Sequence, residues 1–262
     1  MITSSFCLLP GVGLRTERRF WRHGILTWDR FLLARQVPGV SALRKALFDD
    51  RMREAQEHVV QKDSRYFART LAARHQWRLY EWLRTRALYL DIENDSFGQI
   101  TVVGLYGQGR YTALVRNESL SLLRLREELS QYDLLITFCG STFDFPMLRA
   151  HFSDLILDQP HIDLCGIGRQ LGYHGGLKAI ERRMGINRIT ALQGFSGDDA
   201  VRQWNRWRHQ RDEGARELLL VYNEADCVNL QPLADALYCR LVVASGLEEA
   251  RGQQGRDPAT YR

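Results

Sequence analysis

Residues 87–107, ALYLDIENDSFGQITVVGLYG, decide the fold, because they form two strand-like apolar runs joined by the turn signals NDSFG. The first run carries Asp91 and Glu93. Residues two apart on a strand project from the same face, so these two carboxylates stand side by side. Buried carboxylates repel each other unless a cation compensates them. A solvent-facing strand edge near the turn is the alternative for this pair.

The pattern that follows the two strands is typical of an α/β fold. Further strand-like runs cover residues 110–115 and 133–140, and a short strand is predicted around HIDLCGI at 161–167. Helical patterns occupy the intervening and later segments, at 118–131, 143–152, 176–185, 198–210 and 215–237. Three hairpin-linked strands, a crossover helix, another strand and then helices predict a mixed sheet flanked by helices.

The chain has 262 residues and a net charge of +5, which is distributed unevenly. Residues 1–86 contain 17 Lys+Arg against 8 Asp+Glu, whereas the remainder of the chain has a net charge of −4. We therefore predict a basic, mostly helical N-terminal segment (1–86) that helps to bind nucleic acid, an α/β domain (87–245) and a flexible tail (246–262). High-GC codon usage explains the ratio of arginine to lysine equally well, but not the position of the basic excess.

Cysteine spacing and hydropathy indicate the compartment. The five cysteines form no C-x-x-C pair, so the sequence predicts neither a disulfide framework nor a zinc site, and we expect the thiols to be reduced. No run of 18 apolar residues is present, and the opening residues lack the features of a signal peptide. We expect a cytoplasmic protein that does not bind a membrane.

A second candidate acid, Asp144, follows the apolar run 133–140 at the start of a predicted helix. In α/β proteins, ligand-contacting groups occur at such strand-to-helix junctions. The sequence STFD at 141–144 also matches a capping box, in which the acid would bond backbone N–H groups. The local sequence does not choose between these two interpretations.

A third candidate is the pair of Tyr222 and Asp226, which lie four residues apart in a predicted helix and therefore share a face. An ordinary tyrosine at the edge of an apolar stripe is the alternative. Nearby, Trp204 and Trp207 lie among arginines in RQWNRWRHQR. That mixture is typical either of a surface that stacks bases or, more often, of a helix core.

The order of these motifs resembles a known superfamily. A strand D-x-E, an acid at a strand-to-helix junction and a late helical Y-x-x-x-D are similar to the three motifs of the DEDD 3′–5′ exonucleases, which have a ribonuclease H-like fold. The tyrosine matches the DEDDy branch. Within it, the chain resembles the YprB-type ribonuclease H-like proteins through LPGVGLRTERRFWRHGILTWDRFL, FDFPML, HIDL and YNEADCVNL.

This resemblance implies a 3′–5′ exonuclease that hydrolyses nucleic-acid phosphodiesters, most simply at a single-stranded 3′ end, with two Mg²⁺ or Mn²⁺ ions. It implies metal binding by four acids, namely Asp91, Glu93, Asp144 and Asp226. Tyr222 would orient or deprotonate the attacking water. Orientation is the better expectation, because an ordinary tyrosine pKa near 10 makes a poor base at neutral pH.

One residue departs from the family pattern. The second motif usually has Asn-Gly after the strand, whereas this chain has Cys139-Gly140. The departure favours one alternative, a catalytically inactive nucleic-acid-binding or scaffold protein. A structure-specific endonuclease that uses the same acids is a further alternative, which the sequence does not separate from an exonuclease. With the four acids present, we expect an active enzyme whose carboxylates are balanced by metal and not by arginine.

Overall fold

The structure, a computed structural model, describes residues 1–254 and contains one mixed five-stranded sheet. The strands are β1 (Ala87–Asn94), β2 (Ile100–Gly107), β3 (Arg110–Val115), β4 (Leu134–Thr137) and β5 (His161–Asp163). Their order is β3-β2-β1-β4-β5, with β1 antiparallel to β2, β2 antiparallel to β3, and both β4 and β5 parallel to β1. The predicted mixed sheet is confirmed.

Within the described residues, thirteen α-helices are α1 (Leu14–Arg22), α2 (Trp28–Leu33), α3 (Ala42–Val60), α4 (Ser64–Thr70), α5 (Tyr80–Leu83), α6 (Leu122–Ser130), α7 (Asp144–His151), α8 (Leu164–Gln170), α9 (Leu177–Met184), α10 (Gly197–Gln210), α11 (Glu213–Val228), α12 (Leu230–Ser245) and α13 (Leu247–Gln254). Short 3₁₀ helices cover Ile2–Ser4, Ala73–Leu79, Arg84–Arg86 and Thr190–Leu192. None of the described helices is long and apolar enough to cross a membrane.

The sheet has an apolar layer on each face. On one face, Leu88, Leu90 and Ile92 of β1 pack with apolar side chains of α6 and α7. On the other face, residues of β2 and β3 pack with α10 and α11, and this cluster includes the buried Trp204 and Trp207. The two tryptophans are therefore core residues, and the base-stacking interpretation is wrong.

Two of the differences between predicted and observed boundaries have a clear local cause. The strand predicted around 161–167 ends at Asp163, because the Asp163 carboxylate accepts the backbone N–H of Cys165 at 3.1 Å and caps α8. The helix predicted over 215–237 is divided at Asn229 into α11 and α12. Pro232, in the first turn of α12, has no N–H to continue the earlier hydrogen-bond ladder.

The chain divides into two compact units, Leu83–Leu237 and a second unit of Met1–Trp82 with the described residues from Tyr238 onward. The second half of α12 and all of α13 belong with the N-terminal unit. The predicted tail at 246–262 begins as helix α13, because Leu247 and Ala250 share a buried face. Residues 255–262 lie outside the described residues.

The N-terminal unit has its own core of packed aromatic rings. Phe6, Phe20 and Phe31 are buried, with ring centroids 5.3–5.7 Å apart. A buried ion pair joins Arg78 to Glu17 at 2.7 Å. Arg78 is therefore structural and not accessible to a ligand, and the N-terminal basic excess comes from other residues, because Glu17 cancels its charge.

Candidate metal centre

Three of the predicted acids meet at one face of the sheet. Asp91 and Glu93 come from β1 and Asp226 from α11, and one carboxylate oxygen of each lies within 4.8 Å of the others. Glu93 and Asp226 are only 7% and 6% exposed, and Asp91 is half-buried. This burial excludes the solvent-facing edge as an explanation for the D-x-E pair.

The alternation of side chains along β1 determines which face of the sheet carries Asp91 and Glu93. Leu90 and Ile92 face the α6–α7 layer, so Asp91 and Glu93 face α11. The two candidate residues of α11, Tyr222 and Asp226, are four residues apart and lie on the same face of the helix. Local spacing puts the acids of each element on one face, and the packing of α11 against that face of the sheet then brings Asp91, Glu93 and Asp226 together.

Asp144 lies at the margin of this cluster. It is the first residue of α7, is 2% exposed and has one carboxylate oxygen, Oδ1, without a hydrogen-bond partner. The capping box is not formed, since Phe143 occupies the N-cap position and no side chain caps the helix. Asp144 is not among the three mutually close acids, but its charge acts on Asp91. A buried, incompletely bonded carboxylate beside three others is typical of a cation site.

The electrostatics of the cluster favour a bound cation. Burial, with repulsion from Asp226, raises the pKa of Glu93 to about 8. Burial raises the pKa of Asp144 to about 7, and burial together with Asp226 and Glu93 raises that of Asp91 well above its ordinary value. Divalent cations would replace the protons that these groups retain near neutral pH. The donors are all carboxylate oxygens, which fit Mg²⁺ or Mn²⁺.

Asp226 also has a protein counter-ion. Arg188 forms an ion pair with Asp226 and is held by Glu181 through bonds of 2.7 and 2.8 Å from Nε and Nη2. The expectation that no arginine balances the acids is therefore wrong for Asp226. Glu181 is itself buried and cancels the charge of Arg188, so this triad keeps one net negative charge.

Tyr222 is held by a second cation. Its hydroxyl accepts a 2.6 Å hydrogen bond from Lys178 Nζ, which also lies 4.5 Å from the centroid of the ring. Burial and the charges of Asp226 and Glu93 raise the pKa of Tyr222. The phenol therefore stays protonated at neutral pH, which favours orientation of a water molecule over its deprotonation.

Sequence reasoning missed three side chains at this centre: Lys178, Arg188 and Asn223. A signal existed for Lys178, because it is one of only three lysines in an arginine-rich chain. Asn223 adjoins the recognised Tyr222. Arg188 follows α9 in a loop and offers no comparable signal, since only tertiary packing brings it to Asp226.

Cys139, which departs from the family pattern, lies in the loop after β4. This residue has a left-handed φ of 63°, a conformation that asparagine adopts more readily than cysteine. The Asp163 carboxylate accepts the backbone N–H groups of Cys139 and Ser141, at 2.8 and 3.0 Å, and holds the loop. Gly140 is required here, because a Cβ would lie 2.1 Å from Thr137 Oγ1. The loop that leads to α7 thus keeps a defined shape without the asparagine.

Cys139 also forms a disulfide with Cys165, with Cα atoms 5.0 Å apart. The expectation that all thiols are reduced is therefore wrong for this pair. The two residues follow β4 and β5, which are parallel neighbours, at equivalent positions of the sheet edge.

We predict that Cys165→Ser destabilises the protein by about 3 kcal/mol, since it removes a cross-link across 26 residues. Urea unfolding without reductant measures this difference. Cys239→Ser, which changes an exposed free thiol, is the control. Five titratable thiols in the denatured, unreduced protein, instead of three, would contradict the pairing.

Comparison with known proteins agrees with this fold. A family model described as the RNase_H superfamily matches residues 88–238. The chain is also similar to the family B DNA polymerase from the hyperthermophilic archaeon Pyrobaculum calidifontis, with a TM-score of 0.50 and 14% identity. This similarity covers 63% of the present chain but only 26% of the polymerase chain, and it shows the fold alone. No curated protein matches the chain.

Proposed function

Because the chain belongs to the RNase H superfamily, whose family model matches more than half of it, we propose that it is a metal-dependent nuclease. The observation that carries this proposal is the buried group of Asp91, Glu93 and Asp226, one oxygen of each within 4.8 Å of the others. We assign the finer activity, 3′–5′ exonucleolytic hydrolysis of the DEDDy and YprB type, from the motif order together with Tyr222.

In the proposed mechanism each side chain has a separate role. Asp91, Glu93 and Asp226, with Asp144 beside them, would hold two divalent ions, whose four positive charges match four carboxylates. Bound ions would stabilise the negative charge that develops on the attacking and leaving oxygens. Tyr222 would orient the attacking water through its protonated hydroxyl, which Lys178 holds in place.

The test is degradation of labelled substrates by the purified full-length protein. Single- and double-stranded DNA and RNA, labelled at the 5′ end, are incubated with Mg²⁺ or Mn²⁺. We expect a ladder that shortens from the 3′ end, and no ladder with Asp91→Ala protein prepared in the same way. Internal fragments would instead support an endonuclease. No degradation of any substrate with either metal would contradict the enzyme and leave the nucleic-acid-binding alternative.

The N-terminal unit offers a surface for the nucleic acid. A groove of about 700 Å³ is lined by three arginines of α1, Arg15, Arg18 and Arg22, and by residues that include Val243 and Ala250. Arg18 donates to the carbonyl groups of residues 244 and 245 and is structural. Arg15 and Arg22 are exposed, and neither pairs with a carboxylate in the part of the chain that the structure describes. We propose that these two contact phosphates.

Replacing Arg15 and Arg22 together by glutamine should weaken binding of single-stranded DNA or RNA. The slope of log K against log salt should become shallower by about 1–2, since two phosphate contacts are lost. Fluorescence anisotropy at several salt concentrations measures both quantities. The matched control replaces Arg51 and Arg53, which already pair with carboxylates on α3. Equal losses in both double variants would contradict a specific surface on α1.

A further inference from the structure

We propose that Asn223 is a positioning residue that holds Asp91 and Glu93 ready for divalent cations, an inference that rests on the proposed function. The Asn223 Nδ2 group donates to Asp91 Oδ2 at 2.9 Å and to Glu93 Oε1 at 3.4 Å. The side chain is completely buried. A single amide therefore bridges the two acids of the D-x-E motif.

The orientation of this amide follows from the chemistry of its partners. Ionised carboxylates only accept hydrogen bonds, so the amide must present its NH₂ group to Asp91 and Glu93. Its Oδ1 then faces the opposite way, where the Tyr111 hydroxyl donates to it at 2.8 Å. The Leu220 carbonyl lies farther from that hydroxyl, at 3.5 Å. The acids thus set the orientation of the amide, and the Tyr111 hydroxyl bonds its other end.

Strand β2 leaves space for the bridge. Gly104 lies opposite Asp91 in the β1–β2 register. A Cβ at Gly104 would lie 1.9 Å from Asn223 Oδ1 and 2.7 Å from Cys227 Sγ. Any larger residue here would displace α11 or turn the amide. Asn223, Tyr111 and Gly104 come from three different elements and form one arrangement around the acids.

A positioning role differs from a merely structural one in its effect on metal affinity. Two carboxylates that repel each other turn apart unless something holds them, and a site that must first reassemble binds metal more weakly. Residues that orient metal ligands typically change metal affinity by 10–100-fold. A hydrogen bond that only stabilised the fold would lower the melting temperature and leave metal affinity unchanged.

The test measures Mn²⁺ binding by calorimetry, and melting temperature without metal, on the full-length protein. We expect Asn223→Leu, which keeps the bulk but removes the amide, to weaken Mn²⁺ binding by about 10–100-fold. Tyr111→Phe, which removes only the hydroxyl, should cause a smaller loss in the same direction. Tyr106→Phe, on β2 of the same sheet, is the matched control and should bind Mn²⁺ like the unmodified protein.

Unmodified Mn²⁺ affinity in Tyr111→Phe and in a folded Asn223→Leu protein would overturn the inference. If Asn223→Leu does not fold, Tyr111→Phe decides alone, because loss of one hydroxyl preserves the packing. Failure of the unmodified protein to bind Mn²⁺ would overturn the metal centre itself, and the positioning role with it. The unmodified protein thus tests the proposed function, and the variants test the role of Asn223.

Discussion

Asp226→Asn is expected to reduce phosphodiester hydrolysis by about 10³-fold or more. Asp226 belongs to the close group of three acids, and a metal ion typically contributes several kcal/mol of transition-state stabilisation, each 1.4 kcal/mol of which is about tenfold in rate. Asparagine keeps the shape of the side chain but not its charge. Initial rates of release from a labelled 3′ end, with saturating Mn²⁺, measure the loss.

The matched control for this substitution is Glu224→Gln. Glu224 lies on the same helix, two residues before Asp226, and is exposed. The same change from acid to amide should leave the rate within about twofold, as surface substitutions usually have small effects. An Asp226→Asn enzyme that retains more than a tenth of the activity would show that Asp226 is not a metal ligand. Circular dichroism of both variants separates this result from misfolding.

The second large effect is a pH-dependent loss of stability in the metal-free protein. The pKa of Glu93 rises from 4.5 to about 8 on folding, and that of Asp144 from 3.8 to about 7. A raised pKa means that the folded state binds the proton more tightly, so this stability is full below the unfolded pKa and lost as pH rises through the folded pKa. Between pH 6.5 and 8, we expect a loss of about 2 kcal/mol.

Chemical denaturation at pH 6.5 and pH 8, with a chelator, measures this loss. Saturating Mn²⁺ should stabilise the protein more at pH 8 than at pH 6.5, since ligands must release their protons to bind it. Glu93→Gln should flatten the metal-free dependence. We exclude lower pH from this range because His75 and the half-buried His161, whose pKa values are lowered to about 4, change stability in the opposite direction there. A metal-free stability that rises over this window would refute the argument.

The sequence predicted the sheet and the acids because both follow from short-range spacing. The two-residue spacing of Asp91 and Glu93 and the four-residue spacing of Tyr222 and Asp226 determine which side chains share a face. The spacing does not show that α11 packs against β1, and this contact was inferred from the resemblance to the DEDD exonucleases.

What could not be predicted depends on contacts between distant segments. Arg188 reaches Asp226 only because the loop after α9 folds back onto α11. The Cys139–Cys165 pair depends on β4 and β5 being parallel neighbours, which the spacing of 26 residues does not reveal. The Asp163 carboxylate both caps α8 and bonds the loop after β4, although the strand was predicted to continue past it. No sequence pattern indicates that a single polar residue such as Asp163 bonds several segments at once.

Helix α9 contributes no metal ligand, yet it touches the centre at two points. Lys178 holds the Tyr222 hydroxyl, and Glu181, one turn later, holds the arginine that pairs with Asp226. The helix is only eight residues long and is flanked by Gly176 and Gly185. A rigid displacement of α9 would therefore move Lys178 and Glu181 together. Tyr222 and Asp226, for which we propose water orientation and metal binding, are thus both linked to a helix that supplies none of the three clustered acids.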